Sequence, residues 1–336
     1  MQPHRKVRTK ENNRKKIKLN LTIMKTLKSI RTAAFVLALS GLALTSCKKD
    51  NLEEGKNDST SMTELSKDEI TVEEISNDAL QDVESVLSYN GSSYKSTSNL
   101  PCNATVDSTS VVNDTITIYI TYNGLSCNGR KFRTGQVQIR KQVGTHWGMP
   151  GASVNVKYIN FSVTRVLTGK TIVINSDKTF TNVTGGFVYM LGNFGITTVV
   201  HRVSGHMDIL FDNGTTRSWN VARQRTYTGT PGEIVLTVDG FGTSGDYSNL
   251  VVWGTNRAGE EFYTQINQSV VHKEVCDGNP VSGIKVHQIP GVEKSATITF
   301  GYDSNNQPVT NGDCPTHYRV DWQNGTYTGT SFLPLP

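Results

Sequence analysis

Between residues 66 and 88 apolar side chains recur at helical intervals. Val72, Ile75, Ala79, Leu80, Val83, Val86 and Leu87 fall on one stripe, and Ser66-Lys67-Asp68-Glu69 has the spacing of a capping box. The pattern predicts one amphipathic helix near residues 68–88, its stripe docked on its own chain. From residue 101 the period drops to two. In Thr115 to Tyr122 three isoleucines and Tyr122 alternate with threonines and Tyr119, and Gln136 to Arg140 repeats the alternation. In Ala152 to Val163 the apolar parity flips near Tyr158 and Ile159, which predicts a β-bulge. Turn pairs such as Thr168-Gly169, Asn213-Gly214, Ala258-Gly259 and Asn324-Gly325 separate strand-like runs. Roughly a dozen or more strands without a second helix predict an all-β, antiparallel β-sandwich and exclude a parallel α/β fold.

Residues 101–336 are long for one sandwich and comfortable for two. A weak internal echo supports two. Thr115 to Ile118 leads through a polar loop to Cys127, Arg130 and Arg133, while Ala296 to Phe300 leads through Asp303 to Asn306 to Cys314 and Arg319. Each copy has a further cysteine upstream, Cys102 and Cys276. The expectation is two related β domains, 101–215 and 216–336, with one large sandwich as the alternative. These four cysteines allow three connectivities. The echo singles out Cys102–Cys127 and Cys276–Cys314, closures that stabilise by about 3 to 4 kcal/mol each in the chain-entropy model. No Cys/His spacing suits a metal, and no cofactor motif is present.

Charge changes the picture. The formal net charge is +5, from 34 Lys+Arg against 29 Asp+Glu, but residues 1–46 hold 11 basic groups and one acid. The remainder is therefore net −5, and a pI near 8.8 does not signal nucleic-acid binding. A hydrophobic share of 36% with 19% charged residues excludes wholesale disorder and a multi-span membrane protein. From Met24, the basic residues Lys25, Lys28 and Arg31 precede an apolar run, Ala33 to Leu44, too short for a stable span. Residues 24–46 read as an export signal and 1–23 as an extension from a mis-assigned start. Residues 48–100 carry 12 acids against 5 bases, the composition of a solvated tether holding the folded part off a membrane.

Leu44-Thr45-Ser46-Cys47 resembles the lipobox of bacterial lipoproteins. The resemblance implies that Cys47 is acylated and becomes the new N-terminus, so that the protein is anchored to a membrane rather than spanning it, each buried methylene adding about 0.8 kcal/mol. Lys48-Lys49-Asp50 with Glu53-Glu54 is similar to charged surface-export tags of Bacteroidota lipoproteins. That implies the outer membrane, at its periplasmic face or the cell surface.

Few residue patterns in the chain carry catalytic chemistry. There is no G-x-S-x-G elbow, H-E-x-x-H, P-loop or G-x-G-x-x-G. His201 and His206, five residues apart on a strand, should face opposite ways, and Asp303 to Gln307 reads as a polar hairpin loop. Trp147 sits in a Gly- and Pro-rich stretch that suggests an exposed loop, and Arg217, Trp219, Val221, Arg223 and Arg225 share one strand parity. Trp147, Arg217, Trp219 and Arg223 are thus candidate ligand contacts, suited to anionic or sugar ligands. The competing reading buries both tryptophans and leaves the arginine stems packed. Trp253 and Trp322 read as core.

The whole layout, from the lipobox and acidic tether through Cys127-Asn128-Gly129-Arg130 and Gly135 to the cysteine-bearing C-terminal repeat, resembles uncharacterised lipoproteins of the Bacteroidota. That family supplies no activity to carry over. The expectation is a non-enzymatic envelope protein binding a glycan or an envelope protein. The alternative is a carbohydrate-active hydrolase or peptidase with catalytic residues on scattered loops.

Overall fold

A computed structural model describes residues 52–88, 101–310 and 312–336, with helix side chains described from residue 61. Residues 1–46, expected from their pattern to be an extension and an export signal, and Cys47, expected to be acylated, lie outside the described residues. The helix α1 (Leu52–Ser88) comes first, followed by β1 (Ala104–Ser108), β2 (Thr115–Leu125), β3 (Lys131–Gln142), β4 (Ala152–Arg165) and β5 (Thr171–Asn182). Next are β6 (Thr198–Phe211), β7 (Thr216–Thr228), β8 (Val235–Gly240), β9 (Gly242–Ser244) and β10 (Tyr247–Thr255). The last are β11 (Glu261–Lys273), β12 (Pro280–Ile289), β13 (Lys294–Tyr302), β14 (His317–Asn324) and β15 (Tyr327–Pro334).

All fifteen strands join in one antiparallel sheet, in order from β1 to β7, then β10 to β15. β8 and β10 share one slot between β7 and β11, and β9 is a short excursion paired on β10. The all-β antiparallel class is therefore what the chain adopts. Alternation puts Ile118, Ile120 and Tyr122 of β2, or Val154, Val156 and Tyr158 of β4, on an inner face. That face packs on α1, and each such side chain contributes about 1.5–3 kcal/mol by leaving water.

The helix is longer than its apolar stripe suggests, 37 residues or about 55 Å. Ser66 does not cap it, because its hydroxyl donates to the Met62 carbonyl one turn back. Nor are residues 61–88 of the acidic stretch part of a solvated tether. Among residues 61–88 only Lys67, Gln81 and Ser85 are exposed, all near one narrow line along the helix. Side chains from β2, β3, β4, β5, β7 and β12 reach α1 from different directions.

The boundary expected at 215/216 does not interrupt the sheet, since β6 and β7 pair along most of their length. The two halves nevertheless serve different lengths of the helix. Glu64 to Glu73 meet residues of β7, β12 and the β10–β11 turn, whereas Glu74 to Glu84 meet β2 to β6. The halves touch where Arg130 approaches Asp277 at 3.8 Å, although both groups are too exposed for the pair to matter energetically. Each half carries one disulfide in the same place. Cys102 before β1 bonds Cys127 after β2, and Cys276 before β12 bonds Cys314 after β13, with Cα separations of 5.2 and 5.3 Å.

The bulge lies where the alternation breaks. Pairing slips between Tyr158 and Phe161, leaving Ile159 and Asn160 facing out. Asn160 adopts φ 47°, and its carbonyl presses on Gly135 of β3, where an added Cβ would sit 2.1 Å from that oxygen. Gly135, itself at φ 89°, is the residue this contact requires.

Candidate functional site

The helix carboxylates meet their partners inside the sheet. Asp68 accepts a two-pronged pair from Arg257, Nε to Oδ2 and Nη2 to Oδ1, both 2.7 Å, and a further contact from Arg217. Lys285 donates to Glu69 (3.1 Å) and Glu73 (2.5 Å). Lys131 bridges Glu74 and Asp78, both 2.6 Å, and Arg165 joins Glu74. Asp82 accepts from Arg133 (2.7 Å) and the Tyr122 hydroxyl (2.9 Å).

Burial and charge compete at these groups. Burial would raise the Glu73 carboxyl, but Arg223, Lys285 and His272 together hold it well below the usual range. Burial would depress the Lys285 ammonium, but Glu69 and Glu73 keep it above its ordinary value. At two other interior groups burial wins. His201 is pushed down to about 3, with Arg225 adding to the effect, and Glu84 is pushed up to about 7.

The four sequence candidates lie in this interior and cannot meet a ligand from solution. Trp147, Arg217, Trp219 and Arg223 are 3%, 2%, 0% and 4% exposed. The loop carrying Trp147 turns inward because Gly148 packs on the Phe187 ring, leaving the indole against Phe180 (4.6 Å) and His201 (5.3 Å). Arg217 pairs with Asp68, Arg223 lies 3.9 Å from Glu73, and the Trp219 indole N–H donates to the Thr255 carbonyl at 3.3 Å. The shared parity is real, but the face is the inner one.

The outer face of β7 to β15 carries groups able to receive a ligand. One cross-strand row runs Asn220, Trp253, Tyr263, Gln288, Ser295, Gln323 and Thr328, about 29 Å at the usual strand spacing. Trp253 is therefore not core. It faces out and is half-buried, with its ring edge against Gly242, whose missing Cβ would lie 2.6 Å from Cζ3. Tyr247 stacks on Tyr263 at 4.2 Å and 14°, and the Arg202 guanidinium lies 5.2 Å over the Phe241 ring. Further along, Ser295, Thr297, Asp321, Gln323, Thr328 and Thr330 line a shallow recess of about 370 Å³. The Asp321 carboxylate there is matched by Arg319 (2.8 and 2.9 Å) and Thr330 (2.6 Å), so the recess is close to neutral. Trp322 is half-buried on the other face, over Gly329.

His201 and His206 face opposite ways, His201 buried inside and His206 outside. His206 adjoins Ser218 and Asp208, a combination that raises nucleophilic catalysis. Ser218 donates to Asp208 at 2.9 Å, and the same His206 Nε2 faces both Ser218 Oγ (3.1 Å) and Asp208 Oδ1 (3.3 Å). The serine proton is thus committed to the carboxylate, and the imidazole is not placed between nucleophile and acid as a triad demands. Asp303 is occupied by its own turn, accepting from the Asn305 and Gln307 N–H groups, both 2.8 Å. No metal-ligating cluster, and no helix long and apolar enough to cross a membrane, occurs among the described residues. Comparison with protein-family models, with curated proteins and with solved structures found no match.

Proposed function

We propose that the chain is an outer-membrane lipoprotein held by acylated Cys47, and that it binds a glycan non-enzymatically on the outer face of its sheet. The observation that carries the reading is the row through Trp253 and Tyr263 into the hydroxyl-rich recess at Ser295 and Thr330. Aromatic edges beside hydroxyl, amide and charge-matched carboxylate groups suit a neutral sugar, which offers both apolar C–H faces and many hydroxyls. The two disulfides fit an oxidising compartment outside the cytoplasm. The interior carboxylates Asp68, Glu69 and Glu73 are engaged by buried cations, which leaves them unsuited to acid–base work on a substrate.

Two experiments test the two parts. Cys47→Ser is expected to abolish incorporation of labelled palmitate and release the protein from the membrane fraction; unchanged membrane retention would refute the anchor. A glycan array is expected to show binding by the wild type, lost in Tyr263→Ala and Asp321→Ala while the melting temperature holds. The binding reading fails if no glycan is bound, or if glycan or peptide hydrolysis appears and a single carboxylate variant abolishes it.

A further inference from the structure

On the inner face of β5, β6 and β7, Lys178 lies in register with Gly205, Phe180 with Val203 and Arg223, and Asn182 with His201 and Arg225. Three cations, Lys178, Arg223 and Arg225, are thereby gathered in the interior, all fully or almost fully buried. Their acids do not balance them. Glu73 is 3.9 Å from Arg223 and is already taken by Lys285 at 2.5 Å. Glu84 accepts the Val188 N–H and lies 3.9 Å from His201.

Among the described residues Arg225 has neither an ion pair nor a hydrogen bond; the Tyr227 ring lies 5.4 Å from its guanidinium carbon, and its charge also acts on Glu84, His201 and Lys178. Its Nε and Nη2, the same atoms of Arg223 and the Trp147 Nε1 are all buried without an acceptor. A lysine can escape such a position by losing its proton, and Lys178 is held well below its ordinary value by burial and by Arg223 and Arg225. A guanidinium cannot. An isolated buried charge is prohibitively unfavourable, and water meets the hydrogen-bonding need without cancelling the charge.

We propose that a small monovalent anion of chloride's size resides in the interior between Arg223 and Arg225 and completes their hydrogen bonding. Alternate residues of one strand stand about 7 Å apart, which lets one ion touch both guanidinium groups. One ion of single charge also fits the balance. Glu69 and Glu73 match Lys285 and Arg223, and Glu84, the acid nearest in effect to Arg225, is pushed up to about 7 and is mostly protonated at pH 6, leaving the charge of Arg225.

The test is thermal unfolding of the purified full chain at pH 6 and constant ionic strength, with chloride, phosphate or gluconate as the anion. Chloride is expected to raise the melting temperature by about 3 °C per tenfold increase near saturation, with no response to gluconate. Arg225→Gln is expected to abolish that response, and the exposed-face variant Arg202→Gln to keep it. Equal responses to chloride and gluconate overturn the proposal, as does a chloride response that survives in Arg225→Gln. A response to phosphate alone overturns the monovalent assignment. If Arg225→Gln does not fold, crystals of the wild type grown in bromide decide: an anomalous peak within hydrogen-bonding distance of Arg225 is expected, and its absence refutes the site.

Discussion

Glu84 offers a direct measure of how dry the interior is. Its carboxyl sits near the end of α1, 13% exposed, accepting one backbone N–H from Val188 at 3.3 Å. Burial pushes its pKa up from 4.5 to about 7, with the Val188 hydrogen bond and Arg225 opposing only in part. A displacement of that size is worth about 3 kcal/mol once both folded and unfolded forms are ionised. Below pH 4.5 the group is protonated in both states and contributes nothing. As pH rises from 4.5 to about 7 the unfolded chain releases the proton while the folded chain keeps it, so stability falls. Above that the deficit is constant. Glu84→Gln keeps the acceptor for Val188 and removes the charge. The variant should match the wild type near pH 4.5 and melt about 6 °C higher at pH 8.5, as read by circular dichroism. A difference between the two proteins that stays flat with pH, or a variant less stable at pH 8.5, would refute the reasoning.

Three further outcomes follow from other contacts. Lys285→Met strips Glu69 and Glu73 of their shared cation and should cost about 3–5 kcal/mol in urea unfolding, with loss of near-ultraviolet dichroism; a cost under 1 kcal/mol would mean that the pair is hydrated. Paired Cys→Ala replacement at Cys102 and Cys127, or at Cys276 and Cys314, closes loops of 25 and 38 residues no longer, and should lower stability by about 3.5 and 4 kcal/mol; unchanged melting under reducing and oxidising conditions would count against both bonds. Gly135→Ala forces a side chain at φ 89° onto the Asn160 carbonyl and should destabilise by at least about 2 kcal/mol, whereas Gly129→Ala, with open space around it, should cost less.

What could be read before the structure was local. Alternation revealed the strands, the parity flip at Tyr158 revealed the bulge, and the echo around the cysteines revealed both pairings. Parity also grouped Arg217, Trp219 and Arg223, but alternation says only that residues share a face, not which face is inside. The usual rule that charge faces water then misled, because the counter-charges come from a helix more than 140 residues away. The same distance hid the role of the acidic stretch: Glu69 and Lys285 are 216 residues apart, beyond any window of sequence pattern. Trp253 was lost for a different reason. Pairing slips between Leu250 and Val252, so the run Val251-Val252-Trp253 shows no alternation from which to read a face.

The buried pairs bear on how one helix comes to rest in one place. An apolar stripe alone tolerates sliding by a turn, 5.4 Å, because most aliphatic contacts are replaced by similar ones. Carboxylates do not tolerate it. Asp68, Glu73, Glu74 and Asp82 meet cations on β7, β12, β3 and β4; a four-residue shift toward the C-terminus would let Glu69 and Glu74 take the places of Glu73 and Asp78, but would carry Asp68 and Asp82 to the buried places of Val72 and Val86 at a penalty of several kcal/mol. Ion pairs of this kind add little net stability over well-packed hydrocarbon, so their value here lies in excluding wrong registers. On this hypothesis the near-ultraviolet signal of Lys285→Met should fall by more than its helix content, since the helix persists while its fixed seat is lost; parallel losses of the two signals would instead indicate plain unfolding.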